Sequence, residues 1–222
     1  GGGTILKVNA TFSYSNLSLY NVHRSNSSCS LIGSINPTTV NYSCTIGLWY
    51  FDRAGVWNVT AIAEDTGGLI SSYYNESFLL RSLVSYNLSS NLLSWVGLSP
   101  GQQNVLSTNN ITINNLGNEN ATEINLTATN LYGESGPGSI SASNFSVNIL
   151  AACEGTQLLN GTSVSLIPIG ATLPPGNNSL NFGNATSGQE TLYVCLEQVP
   201  IGLSQQIYST NGTTPWELAP RF

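Results

Sequence analysis

Hydrophobic residues recur along this chain with a period of two. In ILKVNATFSY, Leu6, Val8, Ala10, Phe12 and Tyr14 fall on one side and Lys7, Asn9, Thr11 and Ser13 on the other. From Trp57 the pattern repeats, with Trp57, Val59, Ala61 and Ala63 opposing Asn58, Thr60 and Glu64. Further on, Ile124, Leu126 and Ala128 oppose Glu123, Asn125, Thr127 and Thr129. Successive side chains of an extended backbone leave opposite faces, so these segments predict strands that are apolar on one face and Asn- and Thr-rich on the other. Turn-forming clusters interrupt them roughly every 8–15 residues. Examples are Asp65-Thr66-Gly67-Gly68, Asn160-Gly161, Pro174-Pro175-Gly176 and Asn211-Gly212. Helical periodicity is hard to find. The expectation is an all-β chain of two Ig-like β-sandwich domains, with Trp57 in the core of the first.

A boundary near Val84–Ser90 divides the chain into an N-terminal strand at 1–14, a first Ig-like sandwich at 15–86 and a larger β-sandwich at 87–222. Only 7% of the residues are charged, against about 25% in an ordinary soluble domain. Asn, Ser and Thr replace the missing charge, at 27, 30 and 20 residues. Net charge is −6, and the basic residues Lys7, Arg24, Arg53, Arg81 and Arg221 are scattered. Without a basic patch there is nothing to neutralise nucleic-acid phosphates or to anchor on anionic lipid. No apolar run approaches the ~18–20 residues of a membrane-spanning helix. A secretory signal is also missing, which leaves a cytosolic chain or a processed one.

Cysteine usage chooses between these. Cys29, Cys44, Cys153 and Cys195 form no C-x-x-C, and with a single His they do not match zinc-ligand spacing. An even, well-spread set predicts two disulfides in an oxidising compartment. Pairing within each proposed domain gives Cys29–Cys44 and Cys153–Cys195, each stabilising by roughly 3–4 kcal/mol. Four reduced, buried cysteines are the alternative.

Fifteen asparagines head an Asn-x-Ser/Thr triplet without proline: Asn9, Asn16, Asn26, Asn41, Asn58, Asn75, Asn87, Asn110, Asn120, Asn125, Asn144, Asn160, Asn177, Asn184 and Asn211. Composition alone would give about six. Strand periodicity explains part of the excess, because residues i and i+2 share a face. It does not explain Asn160 and Asn211, which lie at expected turn tips. These asparagines are therefore expected to carry covalent N-glycans, which would keep a nearly uncharged surface soluble.

Catalytic chemistry is hard to find. His23 is the only histidine and no G-x-S-x-G accompanies it. The closest acidic pair, Glu64-Asp65, sits at a hairpin end, and two Asp residues in the whole chain do not make a calcium loop. No catalytic residue, metal ligand or cofactor is assigned, and the chain is not expected to be an enzyme. Aromatics among Trp49-Tyr50-Phe51, Trp57, Tyr73-Tyr74, Trp95 and Trp216 would suit a sugar-binding platform, although core roles are expected for most of them, Trp57 included. Lys7 is expected as a solvated edge lysine, with an isopeptide bond as the alternative.

Residues 48–61, LWYFDRAGVWNVTA, resemble the strand pair of archaeal Ig-like and PKD-like surface domains. Ile111–Asn118, ITINNLGN, resembles a strand-turn of a second module found in archaeal secreted proteins. That module continues into segments like Cys153…Gly155-Thr156-Gln157-Leu158 and Leu192-Tyr193-Val194-Cys195. The resemblance implies a cell-surface, extracellular chain and a filament subunit of the thread or pilus type. In such filaments one subunit's N-terminal strand completes the next subunit's sandwich. Ile5, Leu6, Val8, Ala10, Phe12 and Tyr14 would then form a donor strand, and the partner would be the chain itself, joined head-to-tail. A surface-lattice glycoprotein and a carbohydrate-binding adhesin are the alternatives. Intact-mass measurement on native material should show many hexose-scale additions to the 23.5 kDa polypeptide; a bare mass would overturn the glycan expectation.

Overall fold

The period-two segments fold as strands. The computed structural model describes residues 3–14, 23–176, 188–210 and 214–222, and among these the chain is all-β, with short 3-10 turns at Ala142–Asn144 and Ile167–Ile169 and no α-helix. It divides into two compact units, the first ending at Leu83 and the second beginning at Val84.

The first unit contains β1 (Ile5–Tyr14), β2 (His23–Asn26), β3 (Ser30–Asn36), β4 (Thr39–Ser43), β5 (Gly55–Asp65) and β6 (Tyr74–Leu80). Four of them form an antiparallel sheet in the order β2-β1-β5-β6. Val8, Ala10, Phe12 and Tyr14 lie directly opposite Ala63, Ala61, Val59 and Trp57, so the alternation read in the sequence becomes one shared apolar face. Leu6 departs from it. The register shifts between Ile5 and Lys7, and this extra residue in β1 leaves Leu6 60% exposed, out of the inward set expected for it.

Trp57 is fully buried, with Tyr14 packed edge-on at 5.4 Å and Phe12 meeting Phe78 at 5.5 Å. Their polar atoms are satisfied by the loop before β5: Trp57 Nε1 donates to the Arg53 carbonyl and the Tyr14 hydroxyl to that of Ala54, both at 2.9 Å. Gly55 permits this closeness. It has φ +134°, and a Cβ there would stand 2.7 Å from the Tyr14 hydroxyl. A second anchor is ionic. Arg24 on β2 grips the fully buried Asp52 with both guanidinium nitrogens, and the same carboxylate accepts the Trp49 amide at 2.7 Å.

Strands β3 and β4 form a separate two-stranded sheet, closed at its base by the Cys29–Cys44 disulfide just beyond the Ser30–Ser43 pair. It is poorly covered, with Leu31, Ile32 and Ile35 exposed by 56%, 69% and 62%.

The second unit contains β7 (Tyr86–Leu88), β8 (Gln103–Leu106), β9 (Ile111–Asn115), β10 (Glu123–Thr127), β11 (Leu131–Gly133), β12 (Ser139–Ile140), β13 (Phe145–Asn148), β14 (Thr156–Gln157), β15 (Ser163–Ser165), β16 (Gln189–Gln198), β17 (Tyr208–Ser209) and β18 (Glu217–Arg221). Its largest sheet runs β14-β13-β16-β9-β7, and β8 also pairs with β16. Smaller antiparallel sheets run β15-β10-β18 and β12-β11-β17. Between them lies a closed core containing Ile113, Ile124, Leu126, Phe145, Leu158, Leu192 and Val194. Trp95 and Trp216 pack on Phe145 at 5.0 and 5.2 Å. The second disulfide joins Cys153 to the fully buried Cys195 on β16. The two bonds, as paired here, place the chain in an oxidising environment.

Removing Arg24 would strand a buried carboxylate. Arg24→Ala should therefore destabilise the first unit by roughly 3–5 kcal/mol, measured by urea unfolding; a change below about 1 kcal/mol would contradict the anchoring role assigned to this pair.

Candidate functional site

The triplet asparagines are the chain's most distinctive chemical feature, and their placement separates them from its other asparagines. Asn16, Asn177, Asn184 and Asn211 lie outside the described residues, which leaves eleven of fifteen. None of the eleven is buried. Asn41, Asn75, Asn87, Asn110, Asn120 and Asn160 are exposed, and Asn9, Asn26, Asn58, Asn125 and Asn144 are half-buried. Among the described residues, the buried asparagines are Asn115, Asn118 and Asn148, and these head no triplet.

Asn115 shows what a structural asparagine does here. Its Nδ2 donates to the carbonyls of Glu119 at 2.8 Å and Leu173 at 3.2 Å, and its Oδ1 accepts the Gly117 amide at 2.9 Å. Several triplet asparagines use their amides differently. The Asn160 carbonyl oxygen accepts the Asn130 amide at 3.0 Å, that of Asn87 accepts from Asn114 at 2.8 Å, and that of Asn75 accepts from Thr60 at 2.8 Å. Holding the oxygen leaves the other arm of each amide, Nδ2, for substitution. Asn26 is different again. Its Oδ1 accepts the Ser28 amide at 2.8 Å while its Nδ2 donates to Thr45 at 3.0 Å, bracing the chain beside the first disulfide. Nothing in the triplet itself distinguishes that bracing role.

On the four-stranded sheet the faces divide the chemistry. Asn9, Asn58 and Asn75 pair opposite Ile62, Ser13 and Thr60, which puts them together on the face away from Trp57. The other face carries Val8, Ala10, Phe12 and Tyr14 from the segment expected as a donor strand. In the single chain that segment lies inside its own sheet, between β2 and β5, with Ala10 and Tyr14 buried and Ile5 half-buried. Lys7 Nζ stands 2.8 Å from Glu64, its cross-strand neighbour.

The remaining chemical groups are used locally. Asp65 accepts the amides of Gly67 and Leu69, at 2.8 and 2.9 Å, and so caps its turn. His23 is exposed on β2 opposite Ser13. Tyr74 bonds the Glu76 carboxylate at 2.8 Å, and that bond and charge raise its pKa; hydrogen bonding to Ser204 lowers that of Tyr208. Trp57, Trp95 and Trp216 serve cores, whereas Trp49 and Tyr50 are 38% and 40% exposed and Tyr73 and Tyr74 more so. Among the described residues no group of three or more His, Cys, Asp and Glu side chains gathers as for a metal, and no helix is long and apolar enough to cross a membrane.

Replacing a buried amide should cost far more than replacing a triplet amide. Asn115→Leu should destabilise by about 2–3 kcal/mol through its orphaned partners. In the unglycosylated chain, Asn→Gln at Asn41, Asn120 or Asn160 should stay within about 0.5 kcal/mol. Thermal or urea unfolding of the variants reads the contrast, and equal costs would remove it. Comparison with known proteins found no matching family model, no matching curated protein and no matching solved structure.

Proposed function

We propose that this chain is a glycosylated structural subunit of an extracellular surface filament, of the thread or pilus type, joined head-to-tail by donor-strand complementation. The observation that carries this is the unfinished state of the first unit. An Ig-like sandwich buries its apolar residues between two packed sheets. Here a single four-stranded sheet buries Ala10, Tyr14 and Trp57, while Tyr73, Tyr74 and the β3 side chains remain exposed. The second unit also exposes apolar side chains, Val96 and Ile201 among them, but it encloses a large buried core, whereas the buried cluster of the first is Tyr14 and Trp57. The body of a neighbouring copy, packed beside the exchanged strand, would supply the missing cover.

Exchange of Ile5–Tyr14 between copies requires no new contacts. The same segment from a neighbour would meet β5 in the same register, with Ala10 and Tyr14 in the same places. Domain exchange of identical elements is inexpensive for this reason, and a head-to-tail exchange that does not close on itself propagates a fibre. Glycans on the Asn9, Asn58 and Asn75 face would also cover the exposed Val56 and Leu79, which share it, and would leave the opposite face, with Tyr74, for assembly. The chain would act by assembly and not by turnover.

Val8 and Ala63 face each other across β1 and β5, and neither heads a triplet or supplies its hydroxyl. Cross-strand neighbours are close enough to accept a disulfide after small adjustments. Val8→Cys combined with Ala63→Cys should give a covalent ladder on a non-reducing gel of polymerised material. Filaments in which the crosslink stays within single chains would sink the donor-strand mechanism.

A further inference from the structure

We propose that the Asn-x-Ser/Thr sites of this chain fall into two classes set by the fold: Asn58, Asn125 and Asn144 accept a glycan only before their strands pair, whereas Asn41, Asn120 and Asn160 accept one from the folded protein. This rests on the reading of these triplets as glycan acceptors. In the transfer step the Asn Nδ2 attacks the anomeric carbon of a lipid-linked oligosaccharide. An N–C bond forms, the bond from that carbon to the lipid phosphate oxygen breaks, the lipid phosphate departs and one Nδ2 proton leaves to a base of the transferase. The transferase must hold the acceptor as a free segment and reach both the amide and the hydroxyl two residues on.

The first class denies it that segment. Asn144 is followed by Phe145, fully buried, and by Ser146, which is 1% exposed and donates its hydroxyl to the Cys153 carbonyl at 3.3 Å. Asn58 lies on β5, paired on one side with Ser13 and on the other with Ser77, and the hydroxyl of its own triplet, Thr60, is committed to Asn75. Asn125 lies on β10 between Ser165 and Ala219. The residue after it, Leu126, is 3% exposed, and the Asn125 Nδ2 donates to the Glu123 carboxylate at 3.2 Å. Presenting any of them means peeling a strand away from its neighbours and exposing core.

The second class needs a smaller opening, because the hydroxyl residue of each triplet, Ser43, Thr122 and Thr162, is itself exposed, although Thr122 donates its hydroxyl to the Arg221 carbonyl at 3.3 Å. Asn41 is exposed on β4, where it pairs with Gly33 of β3, and parting that hairpin uncovers no buried side chain of either strand; Asn120 is exposed in the connection before β10. Asn160 is exposed at a turn where Gly161 takes φ +66°.

The test offers the full unglycosylated chain to an oligosaccharyltransferase with a lipid-linked oligosaccharide, once folded with both disulfides formed and once reduced and unfolded, and reads each site by glycopeptide mass spectrometry. Transfer to Asn58, Asn125 and Asn144 should fall about tenfold or more on folding, the penalty of even a modest opening equilibrium. Transfer to Asn41, Asn120 and Asn160 should change little. Equal transfer to both classes in the folded protein overturns the proposal. Acceptance at no site of the unfolded chain overturns the acceptor reading itself, and the proposal with it.

Discussion

Pairing along β16 is the constraint on which the second unit depends. This ten-residue strand takes β13 on one side and both β8 and β9 on the other. Its buried Leu192, Val194 and Leu196 enter the core, while Cys195 ties it to the loop after β13. A strand used by three neighbours cannot shift by one residue without turning its core side chains to the wrong face. The disulfide reinforces the register already chosen by burial. In this way a chain with few ion pairs fixes its geometry by covalent and hydrogen-bonded means.

The first unit solves the same problem with less apolar material. Its sheet is held at one end by Trp57, Tyr14 and the Arg24–Asp52 clasp, and its hairpin by the Cys29–Cys44 bond. An isolated two-stranded hairpin is marginal in water, and β3 is uncharged, rich in β-branched and aliphatic residues, and open. Such a strand invites pairing unless something covers it.

Much of this architecture was legible in the sequence because alternation is a local signal. The inward positions of Trp57, Ile124, Leu126 and Ala128 follow from parity alone, and so does the polar face at Asn58 and Asn125. Cysteine pairing followed from nearness along the chain. Leu6 was not legible, since a bulge depends on how β1 meets Glu64 and Asp65, residues over fifty positions away. Nor was the Arg24–Asp52 pair, because a lone charge in an Asn-rich loop carries no mark of its partner. The triplets show the same limit more sharply. Asn26, Asn144 and Asn160 share one motif, yet one braces a loop, one precedes a buried Phe-Ser pair and one tips a turn. Only tertiary pairing separates them.

Strand β18 forms one edge of its small sheet, and opposite Ile124 it carries Pro220. Proline has no amide hydrogen to offer, and at a sheet margin it deprives an incoming strand of a donor. That margin of the second unit is therefore poorly suited to extension by a foreign strand. If copies of this chain join through strands, growth is steered away from this edge, and the unit with the finished core can crowd against its neighbours without recruiting them into its sheet.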